Sequence, residues 1–300
     1  MKWAIVNFTK IVPNSIIASN QMAVHLAQTL PDCEVIDRKT ACNPNKKYDC
    51  VILINGAFGF CDFRDGVVQL CQNNDKFIWA GNDYAIKIPS QIKNHLHDLT
   101  YWCAYDMQGA SNYRYVNWNS ITYRPLAYYP PKMYGGLMYF GAYRQGREKY
   151  FAEYLGQQAQ YEVYISGSSK RVARKFLSLN PKAKVFEATP PELAQSLSPF
   201  STTIYIEDAK THQLYCSPAN RFYEALSAGV FILFDHNCLN TFKRAEIEIG
   251  DYLVNGHQEV GSKLKHWSEL HQRQKKEFAE RLADDNSFAR DLAAAIREVC

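Results

Sequence analysis

The chain has little of what marks several large protein classes. No apolar run in its 300 residues approaches the about 20 needed to cross a bilayer. The N-terminus opens directly into a strand-like run, without the pattern of a cleavable signal. A soluble, cytoplasmic protein with no membrane partner is the expectation. No C-x-x-C occurs among the nine cysteines, their number is odd, and several sit inside apolar runs, as Cys50 does in YDCVILI. Reduced thiols explain this better than a disulfide framework or a zinc site. The histidines, His95 and His97 in NHLHD included, have no zinc-motif partner and are expected at the surface. Net charge is also scarce: a formal +4 does not by itself argue for nucleic acid.

Apolar residues are plentiful, at 47% against 21% charged, enough for two ordinary cores, and the length suggests two domains of about 150 residues. Aromatics are abundant, with 20 Tyr and 16 Phe. Phenol rings offer rigid contact area with a polar tip, which suits sugars and bases, although most will simply fill sheet faces. The basic residues are unevenly spread. From Met107 to Tyr150 stand Arg114, Arg124, Lys132, Arg144, Arg147 and Lys149 against one acid, Glu148. From Val163 to Phe186 stand Lys170, Arg171, Arg174, Lys175, Lys182 and Lys184 with no acid at all. Such stretches, interleaved with tyrosines, make either a groove attractive to a polyanion or a solvated basic face.

Strand and helix patterns alternate along most of the chain. Trp3–Phe8, Cys33–Asp37, Val51–Asn55 and Lys76–Ala80 read as strands, separated by helical spacing over Ser15–Leu30 and a short helix at Val67–Gln72. The stretch from Tyr101 to Pro131 has no clean period and reads as the end of a first domain and a linker. Alternation then resumes. Leu137–Phe140, Tyr161–Ile165, Lys184–Phe186, Thr202–Ile206 and Val230–Asp235 are predicted strands. Gly146–Leu155, Ser169–Leu177, Pro191–Leu197 and Ser217–Ala228 are predicted helices, and the tail beyond Gln258 is helical, ending in Ala283–Val299. The expectation is an α/β protein of two Rossmann-like domains facing each other across a cleft, with ligands at the carboxyl ends of the strands. The boundaries are residues 1–130, an acceptor-binding domain in the reading developed below, residues 131–280, a nucleotide-binding domain, and residues 281–300, a final helix that packs back on the first domain.

Two segments carry chemistry. In CSPANRFYEALSAGVFILFD, Ser217 and Pro218 form a strong helix start. Phe222, Ala225, Leu226 and Gly229 fall on a face that packs on the sheet, while Ser217, Asn220, Arg221 and Glu224 fall on another. The unpaired N–H groups and positive dipole end at Ser217–Asn220 suit a diphosphate. Glu224 suits the two hydroxyls of a ribose, or else pairs with Arg221 on an exposed surface. In YFGAYRQGREK, a strand ends in Gly141, Tyr143, Arg144, Gly146 and Arg147. Glycine admits close backbone approach there, and Arg144 and Arg147 can each take two phosphate oxygens. Between the two, Tyr164-Ile165-Ser166-Gly167-Ser168 lies either near a nucleotide base or in an ordinary turn.

The run from Asn220 to Gly229, followed by FILFD, resembles the donor-binding helix of GT-B glycosyltransferases, and Tyr139–Lys149 resembles the first strand–loop–helix of their C-terminal domain. The resemblance implies the GT-B fold, a nucleotide-sugar co-substrate, most simply a UDP-sugar, and hexosyl or pentosyl transfer. It implies that Glu224 grips the ribose and that the helix N-terminus faces the donor phosphates. Many members carry a second acid eight residues before that Glu. Cys216 stands there in this chain, which leaves retention or inversion open. No D-x-D occurs, so the usual ligand pair of the metal-dependent architecture is missing and no catalytic metal is expected.

For the acceptor, FIWAGNDYAIKIPS and VNWNSITYRPL are similar to phrases in bacteriophage glycosyltransferases that decorate hydroxymethylated pyrimidines, such as hydroxymethylcytosine, in DNA. That resemblance implies double-stranded DNA as partner and the host cytoplasm as location. An inverting transfer needs a base for the acceptor hydroxyl: Asp83, at a predicted strand end, comes first and Asp106 second, each of which could instead be a turn or capping aspartate. Asn82, Tyr84, Phe58 and Lys10, with Thr9 and Phe60, are placed near the acceptor by topology. Rival readings keep the enzyme class with a polysaccharide or small-molecule acceptor, or make the chain a sugar-nucleotide epimerase or a non-catalytic nucleotide or nucleic-acid binding protein.

Overall fold

The computed structural model describes residues 1–8, 18–54, 61–81, 88–104, 111–167, 170–188, 192–283 and 287–299. The chain divides into two compact units, Met1–Ile121 with Asn286–Cys300, and Thr122–Asp285.

The first unit is built on six parallel strands: β1 (Trp3–Asn7), β2 (Cys33–Ile36), β3 (Cys50–Ile54), β4 (Lys76–Gly81), β5 (Asp98–Cys103) and β6 (Tyr113–Tyr115). They lie in the order β2-β1-β3-β4-β5-β6. Both faces of the sheet are covered. Trp3 and Ile5 join one core with Met22, Leu26, Ile52 and Trp102, while Ala4 and Val6 join another with Leu53, Leu70, Phe77 and Trp79. The period-2 alternation of a strand thus feeds two apolar layers, which is why β1 and β3 read as continuous hydrophobic runs. The C-terminal helix Ser287–Val299 completes this unit. Its Leu292, Ala295 and Val299 enter the core that holds Trp102 and Trp118, and Glu298 pairs with Arg114.

The stretch after Tyr101, read as the last part of the first domain followed by a linker, carries regular elements within residues 101–104 and 111–122 that its lack of period did not announce. β5 pairs with β4 from Lys76↔Asp98 to Gly81↔Cys103, β6 pairs with β5 at Tyr101↔Tyr113, and a 3-10 helix covers Trp118–Thr122. Buried Trp102 and Trp118 anchor the region. Tyr and Trp are strand formers, but β6 is only three residues long and the alternation of β5, DLTYWC, breaks at Tyr101-Trp102, so no period emerges. Residues 122–130 belong with the second unit rather than the first: Arg124 N–H donates to Ser227 Oγ at 2.7 Å, and Tyr129 packs on Gly229.

The second unit is also a six-stranded parallel sheet: β7 (Tyr134–Tyr139), β8 (Val163–Ser166), β9 (Lys184–Phe186), β10 (Phe200–Tyr205), β11 (Phe231–Asp235) and β12 (Leu253–Val254). The order is β12-β11-β10-β7-β8-β9. Counted from β7, this is the doubly wound order of a dinucleotide-binding fold, whose direction reverses between β7 and β10. At such a reversal the loops leaving the two central strands diverge to opposite faces and open a crevice at their carboxyl ends. The segments that leave these strands are Phe140–Arg147, after β7, and Ile206–Asp208, after β10.

Candidate functional site

The two segments singled out from sequence meet at this crevice. After β7, Gly141 takes φ +130 and Gly146 φ +95. A Cβ at Gly141 would lie 2.9 Å from Nη1 of Arg221, so this backbone is held against a guanidinium with no room for a side chain. Arg221 comes from the helix Asn220–Ser227, which also carries Glu224.

The two arginines of the site differ in role. Arg144 is exposed and has no ion pair among the described residues. Arg147 is buried and bonds the Glu207 carboxylate, which follows β10 and is itself buried; the other oxygen of Glu207 takes Arg221. Arg221 further donates to Tyr139 OH at 2.7 Å and to the Ile206 carbonyl at 2.9 Å. Burial alone would lower the Arg221 pKa, but the carboxylate of Glu207 holds it above the usual guanidinium value. Arg147 Nε also lies 3.9 Å from Asp208, which caps the helix Ala209–Leu214 by accepting from Thr211 N–H. Glu207 thus cross-links the β7 loop to the helix of Glu224. Sequence reasoning missed Glu207 because an isolated acid after a strand has no motif of its own; the signal was two arginines needing a shared anion.

Glu224 lies one turn beyond Arg221, yet Arg221 turns to Glu207 rather than to it, so the exposed Arg221–Glu224 pair does not form. Among the described residues the Glu224 carboxylate has no hydrogen-bond partner. Burial pushes its pKa up to about 7, against the pull of Arg221. Asn220 Oδ1 is likewise buried without a partner. A desolvated carboxylate and amide oxygen left unsatisfied cost stability and call for donors from outside the chain.

The helix begins later than its sequence suggests. Ala219, not Ser217, occupies the N-cap, without a side-chain cap; its N–H donates to Tyr205 OH at 2.8 Å. Ser217 is fully buried three residues before the first turn. Tyr205 from β10 thus takes the N–H of the N-cap residue, whereas a serine cap would have accepted from an N–H inside the first turn. Tyr143 fixes the β7 loop, its ring 5.2 Å from Phe151 and 5.0 Å from Phe176. Ser166 is buried at the end of β8, and a Cβ at Gly167 would meet Val185 at 2.7 Å, a packing demand. The segments of Lys10, Phe58, Asn82, Asp83, Tyr84 and Asp106 lie outside the described residues, as do Thr9, Phe60 and Ser168.

Two histidines depart from the surface expectation. His271 is buried beside Phe231 and Trp267, which holds its pKa down to about 3. His212 is buried with Asp235 and Cys238, their ligand atoms within 4.8 Å of one another. These donors are already engaged: His212 Nδ1 lies 2.9 Å from Thr241 Oγ1, and Asp235 accepts from Tyr154 OH at 2.6 Å and from Asn237. The trio acts as a hydrogen-bonded core network. No disulfide involves Cys33, Cys42, Cys50, Cys71, Cys103, Cys216 or Cys238, and no helix of the described residues is long and apolar enough to cross a membrane.

Two parallel doubly wound sheets, one carrying this glycine turn, guanidinium and acidic helix at its reversal, define the GT-B glycosyltransferase fold. Among solved structures the chain is similar to the DNA-modifying enzyme β-glucosyltransferase, determined with and without its substrate uridine diphosphoglucose, at TM-score 0.73 and 14% identity over 99% of each chain. A T4 phage BGT mutant in complex with UDP-glucose gives TM-score 0.71 at 14% identity, again over 99% of each chain. AviGT4, a glycosyltransferase involved in avilamycin A biosynthesis, gives TM-score 0.53 at 12% identity over 98% of each. No protein-family model and no curated protein matches the sequence.

Proposed function

We propose that the chain is a glycosyltransferase that moves a sugar from a nucleotide-sugar, most simply a UDP-sugar, to the hydroxyl of a hydroxymethylated pyrimidine in double-stranded DNA. The observation that carries this reading is Glu224: a desolvated carboxylate without a hydrogen-bond partner among the described residues, one turn along its helix from the Arg221 that abuts the Gly141 turn at the sheet reversal. Two vicinal hydroxyls of a ribose supply the donors it lacks. Exposed Arg144 is free to take the diphosphate, and Gly141 lets backbone approach it. Arg147, bound to Glu207, acts in this reading by shaping the loop, and Arg221 by holding Glu224 and Gly141 in register. The fold is shared with a DNA-modifying β-glucosyltransferase whose substrate is uridine diphosphoglucose and with a T4 phage BGT mutant in complex with UDP-glucose.

In the reaction the acceptor oxygen forms a bond to the anomeric carbon. The bond from that carbon to the phosphate oxygen breaks, and the nucleoside diphosphate leaves with the electron pair. Fixed cations near the departing phosphate stabilise that charge preferentially in the transition state. The acceptor proton passes to a base, for which Asp83 and then Asp106 are the assigned candidates, with Asn82, Tyr84, Phe58 and Lys10 toward the acceptor.

The test is incubation of the protein with a panel of nucleotide-sugars and hydroxymethylated DNA, followed by mass measurement of the released nucleosides. A gain of one sugar per modified pyrimidine is expected. Transfer to a carbohydrate or small acceptor alone removes the DNA assignment, and absence of turnover with every donor removes the enzyme assignment.

A further inference from the structure

Beyond the donor crevice, the helix Lys170–Leu179, which follows β8, presents one basic face. Lys170, Arg171, Arg174 and Lys175 are all exposed, and they fall within about 140° of arc at 3.6 residues per turn. Phe176 lies on the other side, buried in the core of the second unit. None of the four cations has an ion pair among the described residues, and no acid occurs between Val163 and Phe186.

The arrangement works against the helix that carries it. Lys170 with Arg174, and Arg171 with Lys175, are like-charge pairs one turn apart, and such pairs destabilise a helix. Lys170 and Arg171 also stand in the first turn, where the dipole favours anions, and no acid is present there to offset them. A solvated face of ordinary composition mixes signs and avoids both penalties. The face is also joined to the candidate donor loop: Lys175 Nζ lies 4.7 Å from the ring centroid of Tyr143, which stands two residues after Gly141 and next to exposed Arg144.

We infer that the exposed face of the helix Lys170–Leu179 is a track for the phosphate backbone of the double-stranded DNA acceptor, contiguous with the donor loop but not part of the donor site. This rests on the reading of DNA as acceptor. A phosphate row removes both penalties, by screening the like-charge pairs and by placing anions at the helix's positive end. The contacts carry no base identity, so they raise affinity for any duplex and leave selection of the modified base to the site itself.

The experiment compares wild type with the triple variant Lys170→Gln, Arg171→Gln, Arg174→Gln, leaving Lys175 on Tyr143 untouched. Duplex binding is measured across a salt series, transfer is measured against DNA concentration, and UDP-glucose binding is measured by calorimetry. The expected result is a shallower salt dependence, by roughly two to three units of log–log slope. The KM for DNA rises about tenfold or more at moderate salt, with kcat at saturating DNA and donor affinity unchanged. Thermal unfolding controls for folding, since removing like charges leaves the melting temperature level or raised. An unchanged salt slope in a variant whose wild type binds and modifies DNA overturns the inference and leaves the function standing. Loss of UDP-glucose affinity overturns it too, by assigning the face to the donor. A wild type that neither binds nor modifies DNA removes the function reading first.

Discussion

Two sets of cations in the second unit show what position does to one residue type. Arg147 and Arg221 are buried and share the carboxylate of Glu207, whereas Lys170, Arg171, Arg174 and Lys175 are exposed without a counter-ion among the described residues. The first set holds two segments together at the sheet reversal; in the second, among the described residues, only the charge of Lys175 has a contact, over the ring of Tyr143. In the buried set charge is a structural constraint, because removing the shared anion leaves Arg221 without its carboxylate partner and Arg147 with only Asp208, 3.9 Å from its Nε. Glu207→Ala is therefore expected to destabilise the fold by about 3–5 kcal/mol, read by urea denaturation. Arg147→Met should cost clearly less, since Glu207 keeps Arg221. Equal losses in the two variants would mean that the anion is not shared in the way the geometry describes.

Glu224 stands between the two sets, partly exposed and largely desolvated. Its carboxyl is raised to about 7 from an ordinary 4.5. In the window between those values the native state holds a proton that the unfolded chain has lost, so this group's contribution to stability falls as pH rises through it. Donor affinity should move the other way, rising as pH passes 7, because the ionised form accepts both ribose hydroxyls. Glu224→Gln is expected to weaken UDP-glucose binding by about tenfold or more, in line with the roughly 1.5–3 kcal/mol of hydrogen bonds to a charged group, and to flatten both pH profiles. Calorimetry from pH 5.5 to 8 reads this, and a wild-type donor affinity independent of pH counts against the ribose assignment.

Gly141 tests the seam between loop and helix. Its φ of +130 strains any other residue, and an added Cβ would press on Arg221 at 2.9 Å. Gly141→Ala should cost about 1–3 kcal/mol. It should also weaken donor binding by displacing the guanidinium, whereas Gly146→Ala, where the nearest atom is 3.6 Å away, carries the backbone strain without that clash. A comparable loss of donor affinity in both would show that strain alone, not Arg221, is being measured.

The sequence made the architecture legible where each strand was apolar throughout and each helix was long enough to repeat its pattern. β1, β3, β4 and β11 are of this kind, as is the helix Lys170–Leu179. β6 escaped because it spans only three residues, β5 because its alternation breaks at Tyr101-Trp102, and the helix Ala209–Leu214 because its cap, Asp208, announces too few turns. Within the candidate site, Gly141 and Arg144 could be picked from residue type and spacing, and Glu224 through the resemblance of its helix to the GT-B donor helix. The division of labour between Arg144 and Arg147 could not, since it depends on Glu207, which is 60 residues from Arg147 in the chain. Long-range ion pairing leaves no local period, and the burial of His212 was hidden for the same reason.

The smallest effect bears most directly on why the exposed set exists. Lys170→Glu replaces a cation in the first turn by an anion, which the helix dipole favours by about 0.3–1 kcal/mol at an exposed position. It also turns the repulsion with Arg174 into an attractive pair worth about 0.3–0.5 kcal/mol. A rise in stability of about 0.6–1.5 kcal/mol follows, or roughly 1–6 °C in melting temperature for a unit of this size, read by calorimetry at low salt and shrinking as salt is added. A residue whose replacement stabilises the molecule is retained for something other than folding. If Lys170→Glu instead lowers the melting temperature, Lys170 has a structural partner, and the contrast between buried structural cations and exposed ligand-facing ones breaks at its first residue.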